Sequence, residues 1–359
     1  MLENVIGNTP MIKILCKYNG KEVNIFTKLE YYNLTGSIKD RVAFYIINEA
    51  IKRGELKRNQ PIIEATSGNT GISLAAIGAY YKHPVYIFMP DWASKERIEL
   101  MKNYGANVTL ISKEQGGFIK CVEEAKNLAK EKNGFLANQF RNKDNYKAHY
   151  ETTGREIIEM LEKLGEDIGG FVSGVGTGGT LMGIGDRLKK EYKDIKIVAL
   201  EPDKMPIISK GEIIGQHKIE GIGDDFVPDL LDKSKIDEIV LINDYDAINM
   251  SRKLSKKLGL GVGISSGANF IAAVELASKI EKSVVTVFAD DNKKYLSTDL
   301  SKDIDDNEKF VSNKIELIKY EWEIWGWSLN VLIYKNVRIR QKCLSLFVLK
   351  ILDIFKNKK

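Results

Sequence analysis

Three short segments of this 359-residue chain gather residue types that do chemistry. Lys39 stands in NLTGSIKDR, residues 33–41, among small and polar neighbours just where a helix begins at RVAFYIINEAIKRG. Such a lysine is either a solvated surface charge or a Schiff-base amine, and the second use requires an unprotonated nitrogen, obtained by desolvation or nearby cations. EATSGNTGIS, residues 64–73, crowds Thr66, Ser67, Asn69 and Thr70 onto the start of another helix. One helix cap needs one hydroxyl, so four polar side chains beside free backbone donors suit a carboxylate ligand. SGVGTGGTLMGIGD, residues 173–186, opens a third helix with glycines that let the backbone approach a phosphate. The same glycines serve equally well for a tight turn between packed elements. The segment is not a P-loop, because no lysine follows the glycines, and a dinucleotide fold places GxGxxG near its first strand.

The elements that must position these segments are legible as a rhythm. Apolar runs alternate with helix-period stretches: PIIEA with GISLAAIGAYYK, PVYIFM with SKERIELMKNYG, NVTLI with KCVEEAKNLAKEKNG, GGFVSGVG with GTLMGIGDRLKKEY, then KIVALEP. That rhythm predicts a mostly parallel sheet with helices on both faces. Gly105 and Gly134 are expected as left-handed helix ends. No internal repeat or low-complexity linker interrupts the pattern.

The bulk composition, 43% hydrophobic and 29% charged, is that of a globular protein with a sizeable core. Cys16, Cys121 and Cys343 are too far apart for a disulfide framework or a metal-ligand motif, so no metal is expected. The opening MLENVIGNTP lacks the basic start and apolar run of an export signal, and a cytoplasmic location is expected. Of the net charge of +5, the stretch from Ile324 onward carries +7, which leaves about −2 for the preceding chain and no nucleic-acid footprint. That last stretch holds Trp325 and Trp327, follows Trp322, and ends in LSLFVLKILDIFKNKK. Its uncharged run CLSLFVL is far short of the ~20 residues of a membrane span, and it reads as a peripheral basic amphipathic helix or a tail.

Taken together, SIKDR, TSGNTG, GVGTGGT and GISSGAN, in that order, resemble the fold-type-II pyridoxal-phosphate family of cysteine synthase (O-acetylserine sulfhydrylase) and cystathionine β-synthase. IGNTPMIKI near the start and YLST at 295–298 fit the same pattern, and the resemblance covers roughly residues 2 to 300. Threonine synthases and serine dehydratases share the fold but read SGNHG-like and SFK-like at the matching motifs. The resemblance implies an α/β fold of the tryptophan synthase β type, with two domains of mostly parallel sheet flanked by helices. Residues 1–39 and 146–303 would form the larger, pyridoxal-phosphate-binding domain, residues 40–145 a smaller mobile substrate domain, and residues 304–359 an extension. It also implies a homodimer acting on a small amino acid.

Residue by residue, the resemblance makes Lys39 the Schiff-base lysine and the base for the α-proton. Gly176, Thr177, Gly178, Gly179 and Thr180 would cradle the cofactor phosphate, Asn69 would bond the ring hydroxyl, and Ser265 would face the pyridine nitrogen. A neutral serine there leaves that nitrogen unprotonated, which suits β-elimination to an aminoacrylate better than chemistry needing a long-lived carbanion. Thr66, Ser67, Thr70 and Gln139 would grip the substrate carboxylate and trigger closure.

Two departures from the family pattern matter. Asn33-Leu34 stands where Asn-Pro is usual, and EGIGDDFVP places Asp224 where sulfhydrylases have Ala and cystathionine synthases Tyr. A carboxylate there repels incoming hydrosulfide but can take a proton from attacking water. The expected reaction is therefore L-cysteine plus water to L-serine plus hydrogen sulfide. The alternatives are an ordinary cysteine synthase, joining O-acetylserine and sulfide, and an inactive binding protein using its tail as a partner surface. Asp224 also reads as a solvated loop residue beside Asp225. His83, His149 and His217 fall in none of these motifs and receive no role.

Overall fold

Alternating apolar residues in MIKILCKY and KEVNIFTKL, joined by Asn19-Gly20, make a hairpin that the strand-helix rhythm did not single out. In the computed structural model, which describes residues 2–302 and 307–323, these are β1 (Met11–Tyr18) and β2 (Lys21–Leu29), paired antiparallel. Asn19 and Gly20 both take positive φ, 51° and 79°, as a two-residue hairpin loop of this kind demands. From β2 the chain turns into α1 (Lys39–Lys52).

Strands and helices then alternate as expected. β3 (Ile62–Ala65) leads to α2 (Asn69–Tyr81), β4 (Val85–Pro90) to α3 (Lys95–Asn103), and β5 (Asn107–Ile111) to α4 (Gly117–Glu131). The short β6 (Phe135–Leu136) precedes α5 (Lys143–Ala148), which runs through a π turn at His149–Thr153 into α6 (Gly154–Leu164). β7 (Gly170–Gly174), α7 (Gly179–Glu191) and β8 (Lys196–Pro202) follow, and a long irregular segment reaches β9 (Glu238–Ile242). α8 (Asp244–Leu258), α9 (Ile264–Ile280), β10 (Val284–Phe288), α10 (Val311–Lys314) and β11 (Ile315–Glu323) complete the described chain.

Two sheets result. One has seven strands in the order β11-β1-β2-β10-β7-β8-β9, parallel from β2 to β9 and antiparallel where β1 meets β2 and β11. The other is β5-β4-β3-β6, wholly parallel and drawn from residues 62–136. Period-2 patterning buries both faces of the larger sheet: Ile25 packs with α8 and α9, while the next residue, Phe26, packs with α6 and α7. The smaller sheet is covered by α1, α2 and α3 on one face and α4 on the other.

Two expectations are refined. Gly105 has φ +82°, but beyond α4 it is Asn133, not Gly134, that turns left-handed, at +47°. Gly134 is small for want of room instead, since a Cβ would stand 2.5 Å from Ile63 Cδ1 and 3.1 Å from the Pro61 carbonyl. Within the extension, Ile315–Glu323 forms an edge strand on β1. The amphipathic helix expected after Ile324 lies outside the described residues.

Candidate active site

In parallel sheets, ligands bind where strand C-terminal ends hand over to helix N-termini. Here the loops after β3, β7 and β10 and the N-terminal ends of α1, α2, α7 and α9 line one cavity of about 660 Å³. Of the thirteen residues singled out from sequence, Lys39, Thr66, Ser67, Asn69, Thr70, Gln139, Gly176, Thr177, Gly178, Thr180, Asp224 and Ser265 line it. Gly179 lies one step inside α7, so close to the Asn145 side chain that no Cβ would fit.

Lys39 opens α1, and the Ile38 N–H before it donates to the Ala289 carbonyl at 2.8 Å, fixing the helix start against the end of β10. Burial lowers the Lys39 amine below its ordinary value, against the opposing pull of the Asp290 and Asp224 carboxylates. The turn before it has no proline, and Asn33 holds it: its side chain accepts from Gly7 N–H at 2.7 Å and donates to the Glu30 carbonyl at 2.7 Å. Asp40 caps the same turn, accepting from the Thr35 N–H and hydroxyl.

The loop after β3 is built around its own polar groups. Thr66 Oγ1 accepts from Gly68 N–H at 3.1 Å, and Thr70 donates to Gln139 Oε1 at 2.5 Å. Gln139 is held in turn by the Ala65 carbonyl and by Glu64, whose carboxyl burial raises to about 7. Asn69 donates to Asp290 Oδ2 at 2.6 Å, while its own Oδ1 has no hydrogen-bond partner among the described residues.

The glycine loop is packed closely against its neighbours, with no room for side chains at its glycines. A Cβ on Gly176 would stand 2.5 Å from the Gly221 carbonyl, and Gly178 sits at φ +81° as α7 begins. Asn145 donates to Thr177 at 2.8 Å, and Thr180 meets His149 Nε2 at 3.2 Å. His149, fully buried, is pushed down to about 3, by burial first and the Lys39 charge second, and so is neutral. Ser265, buried, lies in the first turn of α9.

Asp224 and Asp225 both line the cavity, Asp224 the less exposed of the two. Burial raises the Asp224 carboxyl to about 7, the neighbouring Asp225 charge adds to this, and Lys39 opposes it. The segment carrying it is anchored by Gly223, whose N–H donates to the Val175 carbonyl at 2.9 Å and whose carbonyl accepts from His217 Nε2 at 2.6 Å.

Sequence reasoning missed Asp290, Arg97, His149 and His217. Asp290 is 1% exposed, bonded to Asn69 and to the Tyr295 hydroxyl; Arg97 is also 1% exposed and walls the cavity. Asp290 and Arg97 both lie outside the quoted motifs, and nothing local in the sequence marks either as buried. His149 and His217 are brought in by folding alone.

A pyridine-phosphate cofactor fits this arrangement. The unpartnered Asn69 Oδ1, the glycine-rich helix start at Gly176, Gly178 and Gly179 and an amine with lowered proton affinity are each what such a group needs. Among the described residues no helix is long and apolar enough to cross a membrane.

Comparison with known proteins agrees. Residues 2–290 match the family model described as pyridoxal-phosphate dependent enzyme. A cysteine synthase of Staphylococcus aureus is 41% identical over 303 residues, 83% of this chain and 96% of that protein. The structure of a hydrogen sulfide-producing enzyme from Fusobacterium nucleatum is 51% identical, covers 88% of this chain and 96% of its own, and superposes with a TM-score of 0.85. An aspartate-to-asparagine variant of that enzyme, solved with an α-aminoacrylate intermediate, is 50% identical over the same shares, with a TM-score of 0.86. With the buried lysine, the glycine-rich loop and these likenesses in agreement, the chain belongs to the pyridoxal-phosphate dependent enzymes of the cysteine synthase group.

Proposed function

We propose that this enzyme performs β-replacement on L-cysteine with water, yielding L-serine and hydrogen sulfide. Bound pyridoxal phosphate supplies the electron sink that makes loss of the Cα proton and the β-substituent feasible. In this reading Gly176 to Thr180 hold its phosphate, Asn69 its ring hydroxyl and Ser265 its ring nitrogen. Thr66, Ser67, Thr70 and Gln139 orient the substrate carboxylate, and residues 40–145 close over it to exclude water other than the reacting one. Lys39, its amine made easier to deprotonate by burial, carries the linkage to the cofactor and takes and returns the Cα proton. The Cβ–S bond breaks and a Cβ–O bond forms, with the sulfur leaving as H₂S.

The observation that carries the choice of water is Asp224, a carboxyl raised to about 7 in the same cavity as Lys39. Near neutral pH its ionised form is populated and can accept a proton from water attacking Cβ. Its negative form also repels hydrosulfide, the nucleophile of the alternative cysteine synthase reading. That alternative is supported by the 41% identity to the Staphylococcus aureus enzyme. The resemblance further implies a homodimer, and the buried free thiols of Cys16 and Cys121 suit a reducing cytoplasm.

The test is product analysis with holoenzyme and L-cysteine. Sulfide and serine are expected in equal amounts, with activity rising as pH passes through about 7 and Asp224 ionises. Asp224→Asn is expected to remove that rise and to lower serine formation about 10²- to 10⁴-fold. Unchanged serine formation in the variant, with O-acetylserine and sulfide consumed far faster than cysteine, would establish a cysteine synthase instead.

A further inference from the structure

Arg97 is a buried hub whose guanidinium reaches the start of its own helix and two separate segments. Nε donates to Ser94 Oγ at 2.8 Å, Nη1 to the Ser67 carbonyl at 2.8 Å, and Nη2 forms an ion pair with Glu220 Oε2 at 2.9 Å. Tyr295 lies under it, with the ring centre 5.3 Å from the guanidinium carbon. Ser67 belongs to the loop after β3, in the smaller sheet; Glu220 lies on the irregular segment between β8 and β9, in the larger one. The guanidinium is thus hydrogen-bonded to the Ser67 loop and charge-paired with Glu220 at the same time.

Glu220 stands four residues before Asp224, and the intervening Gly221 and Gly223 both have positive φ, 85° and 72°. Gly223 is tied to Val175 and His217, so the segment is pinned on the larger-sheet side by Gly223 and reaches the smaller-sheet side through Glu220. We propose that the Arg97–Glu220 ion pair is a positioning device: it sets the place of Asp224 over the cavity and couples it to the Ser67 loop. This rests on the reading of Asp224 given above. Binding of an amino-acid carboxylate at the Ser67 loop fixes Arg97, Arg97 fixes Glu220, and the acid–base group is brought to register with the substrate's Cβ. Neither Arg97 nor Glu220 exchanges a proton with substrate in this scheme.

The experiment is a double-mutant cycle of Glu220→Gln with Asp224→Asn, read as kcat for serine formation from cysteine and as Schiff-base absorbance of the holoenzyme. Glu220→Gln is expected to lower kcat about tenfold, the cost of a misplaced group, with the absorbance retained. In the Asp224→Asn background the same change is expected to cost nothing further, and Glu220→Asp, which keeps the charge, is expected to recover part of the loss. Equal losses in both backgrounds, or no loss in either, would overturn the proposal while leaving the function reading intact. Should Asp224→Asn alone leave serine formation unchanged, the function reading fails and this proposal falls with it. Arg97→Lys, which keeps the charge but loses the fork, serves in the same cycle if Glu220→Gln does not fold.

Discussion

Two groups of buried polar side chains behave in opposite ways. On one side, Lys28, Glu30, Arg41 and Glu156 form a closed cluster in which two cations meet two anions. Arg41 spans both carboxylates at 2.6 to 2.9 Å, Lys28 reaches Glu156 at 2.8 Å, and Thr9 and the Asn8 N–H take up remaining oxygens. On the other side, Asn69 and Asp290, which line the cavity, each keep an oxygen with no partner among the described residues. Buried polar atoms cost free energy unless paired. The closed cluster therefore reads as scaffold, clamping the N-terminal residues to the turn that carries Lys39, and the open set reads as a surface awaiting a polar ligand.

Breaking each side should give different kinds of loss. The largest effect is expected on the open side: Lys39→Ala should abolish the Schiff-base absorbance and cut turnover by at least about 10³-fold, with melting temperature little changed. On the closed side, Glu156→Gln leaves two cations under-compensated and should cost about 3–5 kcal/mol of unfolding free energy, measured by urea titration. The pH dependence of the closed side follows in sign. Arg41 and Lys28 outweigh desolvation and hold the Glu156 carboxyl far below its ordinary range, and Arg41 leads the pull on Glu30. A depressed carboxylate contributes stability that is fully present above the ordinary carboxylate range and lost as pH falls below it. Acid titration of wild type should therefore show a steeper loss of stability below about pH 4 than Glu156→Gln shows. The smallest effect is expected at Gly178→Ala, where φ +81° asks about 1 kcal/mol of any side chain, read as a modest weakening of cofactor retention in dialysis.

The same contrast explains what was legible in the sequence. The open side is assembled from strand-loop-helix units, and each unit writes its residues consecutively, as TSGNT and GTGGT do; hence so many of those residues face one cavity. Lys39 and Asp224 were picked out by motif neighbours in the same way. Arg97, Glu220, His149 and Asp290 act through partners distant in sequence, and no local pattern marks a charge as buried or paired. The hairpin of β1 and β2 did carry its own signal, two alternating runs around Asn-Gly. β11 carried a weaker one, the alternation in IELIKYEWE, and its place on β1 is decided by pairing across nearly the whole chain.

The strand orders carry a consequence for how the molecule is made. All four strands of the smaller sheet come from one contiguous stretch, residues 62–136, so its pairings are available soon after that stretch is synthesised. β2, by contrast, is flanked on one side by β1 and on the other by β10, which ends at Phe288, and β1 waits for β11. Non-local pairing is slow because the intervening chain must be closed before it is rewarded. The lysine turn that follows β2 is among the first segments to leave the ribosome and among the last to be held in place. A nascent chain thus has the strands of its smaller sheet early, while the turn carrying Lys39 is held only once translation has passed β10.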